Sequence, residues 1–147
     1  MIDLHSHILP GIDDGAKNMD ESLSMLEIAA TNGTAVIAAT PHVIEGSWLP
    51  AWEDILKLCD DLRTAASKAG INTPVIIPGA EVAMNMDILE RIDEAGQYCI
   101  NGSRYMLIEL PATHIPQYAD NFFFALQTRG IVPIIAHPER HPDLVKN

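Results

Sequence analysis

WEDILKLCDDLRTAASKAGINTPVIIPGA, residues 52–80, carries both periodicities of a mixed α/β protein. Ile55, Leu58, Leu62, Ala66 and Ala69 recur every three or four residues, which lines one face of an α-helix, and Gly70 ends the pattern. PVIIPGA, after a short connection, is a brief apolar run bounded by Pro and Gly, suited to a buried strand. A helix leading into a buried strand is part of a βα repeat, and the rhythm continues in both directions.

Upstream, AVIAAT (35–40) reads as a strand and MDESLSMLEIAATNG (19–33) as a helix, with Asp20 as N-cap and Gly33 as stop; residues 1–4 form a first strand. Downstream come a short helix MDILERIDEAG (86–96), a strand RYMLIEL (104–110), a helix IPQYADNFFFALQTRG (115–130) and a strand IVPIIA (131–136). PERHPDLVKN (138–147) opens a further helix. Strands alternating with helices predict a mainly parallel sheet, in an open doubly wound form or a barrel. No GxGxxG or GxxxxGKS loop follows a strand, which removes support for a nucleotide-binding sheet and favours the barrel. A whole barrel takes about 250 residues. The expectation is one TIM-like α/β domain spanning 1–147, represented by its first five βα units and incomplete at its C-terminal side.

The chain has 147 residues, 48% of them hydrophobic, enough for one core. A formal charge of −11, from 20 acidic and 9 basic side chains, argues against nucleic acid or an anionic membrane as partner. Cys59 and Cys99 have no CxxC spacing, so neither a disulfide framework nor a thiolate zinc site is expected, and a reduced cytoplasmic setting fits. No apolar run reaches the roughly 18 to 20 residues of a membrane span, and no membrane insertion is expected.

The predicted strands end in His5 and His7, in His42 (TPH), in Glu81 (GAE), in Glu109 (LIE) and in His137 (AHP). In parallel βα folds the carboxyl ends of the strands form the face on which sites are built. Residues two apart on an extended chain point the same way, so His5 and His7 can grip one ion. Asp13 and Asp14 follow in the Gly-flanked loop IDDG, and pattern alone does not separate them; Asp14 is taken as the candidate ligand. Imidazole and carboxylate donors without thiolate suit manganese, iron or zinc. Seven such residues exceed what one ion needs, and two or three ions sharing carboxylates would activate water and clamp a phosphoryl group. Arg140, three residues past His137, offers a fork that matches phosphate. His114 and His141 read as ordinary surface histidines.

MIDLHSHILPGIDDGA, ATPH, PGAE, LIEL and AHPER together resemble the polymerase and histidinol phosphatase superfamily, and most closely its bacterial manganese-dependent protein-tyrosine phosphatases encoded with capsule and exopolysaccharide genes. The resemblance implies a distorted (β/α)7 barrel with a trinuclear centre, Mn2+ as cofactor, and a phosphotyrosine protein, a tyrosine autokinase, as substrate. It implies that His5 and His7 hold one metal with Glu81 bridging, Glu109 and His137 a second, and Asp14 and His42 a third. Arg140 would bind the phosphoryl oxygens, with His42 and Glu109 as further catalytic candidates around a hydroxide that attacks phosphorus. The family also uses an Asp-x-His motif and a second arginine that these residues lack, so low activity and stability are expected of them alone. Trp48, Leu49 and Trp52 read as a packed cluster, or else as a rim for an aromatic phosphoester. A histidinol-phosphate phosphatase and an inactive metal-binding fragment are the alternatives. A lysine-bridged amidohydrolase is disfavoured, because the fourth strand ends in Glu109.

Overall fold

The computed structural model describes residues 1–145, so the last two residues of the helix expected at 138–147 lie outside the described residues. The protein is a mixed α/β fold with two parallel sheets. One has the order β1 (Ile2–Ser6), β2 (Val36–Ala39), β4 (Val75–Pro78); the other is β3 (His42–Val43), β5 (Glu81–Ala83), β6 (Tyr105–Glu109), β7 (Val132–Ile135). Every pairing between neighbours is parallel.

Two of the five expected strands are each followed directly by a short further strand that the sequence reading does not include. AVIAAT gives β2, and the chain crosses Thr40 and Pro41 to start β3; PVIIPGA gives β4, and the chain crosses Gly79 and Ala80 to start β5. Pro41 has no N–H to add to a ladder, while its carbonyl still accepts from Glu81 N at 3.0 Å and holds the two segments in step. At Gly79 a Cβ would lie 3.2 Å from Thr40 Cγ2 and 3.5 Å from Ile100 Cα, so the crossing is tight. His42 and Glu81 therefore sit inside the second sheet, paired in register, rather than in loops past a strand end. Among the described residues no ladder joins β7 to β1, and no closed barrel is formed.

Helix α1 (Met19–Thr31) is capped by Asn18, whose Oδ1 accepts from Glu21 N at 3.0 Å; Asp20 lies in the first turn instead of at the cap. Helix α2 (Trp52–Lys68) buries Ile55, Cys59, Leu62 and Ala66, while Ala69 is exposed just past its end. The expected helix at 86–96 is a 3-10 segment that stops at Arg91. The Arg129 guanidinium donates to the carbonyls of Ile92 and Leu89, which a continuing helix would need. Helix α3 (Ala119–Thr128) begins four residues later than expected and is followed, after β7, by a 3-10 turn at Pro138–Arg140 and α4 (Pro142–Val145). No helix among the described residues is long and apolar enough to cross a membrane.

The core joins Leu26 of α1, Ile55 and Leu62 of α2, and Phe122 and Leu126 of α3 to the strand residues Ile37, Ile76, Met106 and Ile108. Phe122 is fully buried. Phe122→Ala is expected to cost about 3–5 kcal/mol, read as a lower urea midpoint, because the surrounding helix and sheet refill only part of the cavity.

Candidate metal centre

β1 brings the first ligand-type residues together through an irregularity. Its register against β2 slips between Asp3 and Ser6, where His5 N donates to Asp3 Oδ1 at 3.1 Å. Such bulges re-aim side chains beside active sites. Thr40 then fixes the strand end: its hydroxyl oxygen accepts from Ser6 N at 3.0 Å, and its own N–H donates to Ser6 O at 2.8 Å.

Glu81 is the hub. Its side chain is 0% exposed, yet four imidazoles surround it. Oε2 lies 3.0 Å from His5 Nε2, 3.2 Å from His7 Nε2 and 3.3 Å from His42 Nδ1; Oε1 lies 3.0 Å from His137 Nε2. His42 Nδ1 is also 3.6 Å from Glu109 Oε2, and its Nε2 is 3.7 Å from Asp14 Oδ1. Three sets of donor atoms thus fall within 4.8 Å of one another: His5, His7 and Glu81; His7, Asp14 and His42; and His42, Glu81 and Glu109. His137 approaches from β7 in the left-handed backbone region (φ 45°), a strained conformation that clusters at functional sites.

The contacts around Glu81 are close but poorly aligned. Both of its carboxylate oxygens, His5 Nε2 and His42 Nδ1 are buried without a partner in hydrogen-bond geometry. Buried polar atoms are nearly always paired, and each orphan costs about 1–3 kcal/mol. Nitrogen and oxygen donors that converge on common points without bonding to each other fit divalent cations held between them.

The two aspartates that the sequence leaves equivalent are separated by their surroundings. The Asp13 side chain is buried and accepts from His7 Nδ1 at 2.7 Å, Gly15 N at 2.9 Å and His42 N at 2.9 Å. It fixes the tautomer of His7 and turns Nε2 toward Glu81, the outer-shell role carboxylates play behind metal-binding imidazoles. Asp14, 60% exposed, faces His42 from the pocket side.

Electrostatics follow from this crowding. Burial disfavours a charged His7, but the hydrogen bond to Asp13 and the close negative charges of Asp13 and Glu81 outweigh it and raise the imidazole to about 10. Burial alone would push the Glu81 carboxyl up; His5, His7 and His42 instead hold it well below the carboxylate range. Asp13 is also lowered, the bonds from His7, Gly15 and His42 overcoming burial. The His7 contribution to stability of the metal-free chain is complete below the ordinary histidine value of 6.5 and lost as pH rises toward about 10. The carboxylate contribution is present above their ordinary 3.8 and 4.5 and lost as pH falls. Chelator-treated protein is therefore expected to be less stable to urea at pH 9.5 than at pH 5.5, and Asp13→Asn is expected to flatten that difference.

Above Glu81 opens a cavity of about 560 Å3 lined by His5, His7, Asp14, His42, Glu109, His137 and Arg140, with Leu110, Ala112, Ala136 and His141 completing its wall. The Arg140 side chain is 75% exposed at the mouth, 3.8 Å from Glu139. His114 is exposed and bonds Thr113, away from the site. His141 departs from the surface reading. It is buried, accepts from Asp143 N at 3.3 Å and donates through Nε2 to Pro111 O at 3.1 Å, tying the Arg140 segment to the loop after β6. Its four-residue spacing from His137 was the available signal, but Nε2 is spent on the Pro111 carbonyl. Of the apolar trio, Trp48 stacks on His42 (5.5 Å, 17°), whereas Trp52 packs on Tyr98 and Leu49 against the core. Both cysteines are buried outside the cavity lining, and burial pushes the Cys59 thiol up to about 11.

Tyrosine-protein phosphatase YwqE of Bacillus subtilis is 35% identical over 147 residues, and tyrosine-protein phosphatase CpsB of Streptococcus pneumoniae is 33% identical over 147 residues. Both matches cover 100% of this chain, which spans only 58% and 60% of those relatives' lengths. A solved structure from work on YwqE and CpsB, described there as metal-dependent tyrosine phosphatases, superposes with a TM-score of 0.86 at 36% identity, covering 100% of this chain and 59% of that one. The profile for capsular polysaccharide synthesis proteins CpsB/CapC matches residues 1–147, and the chain belongs to that family.

Proposed function

We propose that this chain forms the larger part of a metal-dependent phosphomonoesterase that removes phosphate from tyrosine in a protein, a bacterial tyrosine autokinase of capsule or exopolysaccharide synthesis. The observation that carries this reading is the buried Glu81 carboxylate, ringed by four imidazoles with unpaired atoms, beneath a cavity whose mouth holds Arg140. The names of the relatives supply the substrate class. In this reading the seven residues His5, His7, Asp14, His42, Glu81, Glu109 and His137 hold two or three divalent ions, Mn2+ foremost, with iron or zinc as substitutes. Glu81, whose two oxygens reach all four imidazoles, would be the central ligand of that set. The bound ions supply Lewis acidity toward the phosphoryl group and acidify water for in-line attack.

The chain's own side chains do the rest. Arg140 places its planar fork on two phosphoryl oxygens and keeps its proton throughout. Asp13 holds the His7 proton on Nδ1, and Trp48 and His7 flank the His42 ring. Leu110, Ala112 and Ala136 give the cavity an apolar side against which an aromatic ring can lie. The domain is read as a (β/α)7-type barrel acting in the cytoplasm, in line with two unpaired thiols. The test is hydrolysis by the manganese-loaded chain of a phosphotyrosyl peptide against histidinol phosphate. Faster turnover of the peptide is expected; preference for histidinol phosphate would transfer the reading to small-molecule phosphatases.

A further inference from the structure

Beside the metal cavity lies a second cleft of about 300 Å3, framed by the segments that follow β3, β5 and β6. The two cavities share Glu109, Leu110 and Ala112, so they form one continuous surface with the end of β6 as the saddle between them. Ile44, Met84 and Pro111 make the walls of the second cleft apolar. Its two remaining polar side chains are already engaged within the protein: Glu45 lies 3.6 Å from Arg91 Nε, and Asn85 Oδ1 accepts from Asp87 N at 2.9 Å. Among the described residues no basic side chain lines the cleft, while Glu45 and Glu109 both do. What it offers a ligand is apolar contact together with repulsion of acids.

We propose that this cleft is a binding subsite for an apolar side chain close to the phosphotyrosine of a peptide substrate, so that substrate is held at two points across the β6 saddle. The proposal rests on the phosphatase reading above. An extended peptide whose phosphorylated ring enters the metal cavity beside Leu110 and Ala112 carries its neighbouring residues over the same two side chains. An aliphatic neighbour then exchanges water for contact with Ile44, Met84 and Pro111, whereas an acidic one meets the Glu45 carboxylate in a protein of charge −11. The subsite is a specificity element and leaves the reacting group untouched.

The experiment uses manganese-loaded chain and a non-hydrolysable phosphotyrosine mimic, phosphonomethyl-phenylalanine, as the free amino acid, in a leucine-flanked peptide and in an aspartate-flanked peptide. Calorimetric affinities are compared for the unmodified chain and for Ile44→Asp. The proposal expects the leucine-flanked peptide to bind about tenfold or more tightly than the other two probes. Ile44→Asp is expected to remove that advantage while leaving the free amino acid unchanged. Affinities within twofold for all three probes on the unmodified chain would overturn the subsite even if the variant did not fold, and so would a variant that weakens all three equally. If none of the probes binds, the phosphatase reading itself fails and the subsite falls with it, an outcome distinct from binding without preference.

Discussion

Glu81→Gln is expected to lower manganese affinity at least about 100-fold, beyond the range typical of outer-shell partners alone, and to reduce phosphatase turnover to background. The substitution keeps the shape of the side chain and removes its charge. Among the described residues Glu81 is the one carboxylate whose two oxygens together reach His5, His7, His42 and His137. Loss of the charge leaves a raised, protonated His7 short of one of the two carboxylates that sustain it. Removing one partner from a buried charge cluster costs about 3–5 kcal/mol, so a lower urea midpoint of the metal-free chain accompanies the lost affinity. Glu81→Asp is the control: charge is retained and reach is shortened, and intermediate affinity is expected. Manganese titration followed by electron paramagnetic resonance reads all three forms, and unchanged affinity in Glu81→Gln would remove Glu81 from the centre of the site.

The second large effect is expected from a residue that carries no chemistry. Gly15→Ala would place a Cβ 2.2 Å from His7 O and 2.4 Å from His7 Cβ, an overlap with backbone that only movement of the loop can relieve. Gly15 N also donates to Asp13, and Ala16 N to His7 O, so the loop that must move is the one that orients His7. Overpacking of this kind costs about 1–3 kcal/mol. A displacement of about 1 Å in a catalytic constellation is worth about 100-fold in rate. The expected result is therefore a modest loss of stability with a large loss of manganese affinity and turnover. Gly33→Ala is the comparison: that glycine has φ 78° and no atom within 4 Å of a Cβ, so stability falls through backbone strain while the metal site is left intact.

The sequence made the alternation of strand and helix legible because each element carries one clean period: α2 buries every third or fourth residue, and β6 is a continuous apolar run. The gathering of His5, His7, Glu109 and His137 was legible too, since each stands at or near the carboxyl end of a parallel strand, whereas His42 and Glu81 open β3 and β5 and reach the same place from inside the second sheet. Their grouping by distance is denser than pattern alone suggests. Proximity couples His42 with Glu81 and Glu109 as well as with Asp14, which a residue-by-residue transfer from a family does not anticipate. The short strands β3 and β5 were hidden because Pro41 and Gly79 read as the ends of the strands before them, and runs of two and three residues carry no period of their own. Asp13 and Asp14 are identical in kind and adjacent, and only the fold of the IDDG loop turns one onto three donors and the other toward the cavity. For His141 the spacing from His137 was the one signal, and its actual partner, the Pro111 carbonyl, is backbone and 30 residues away.

The most direct test of the metal centre is metal content per chain by plasma mass spectrometry, on protein prepared without chelator and supplied with manganese. Two or three manganese ions per chain are predicted, falling below one in Glu81→Gln. Less than one ion per chain in the unmodified protein would contradict the account, leaving the unpaired atoms around Glu81 without the cation they are argued to hold.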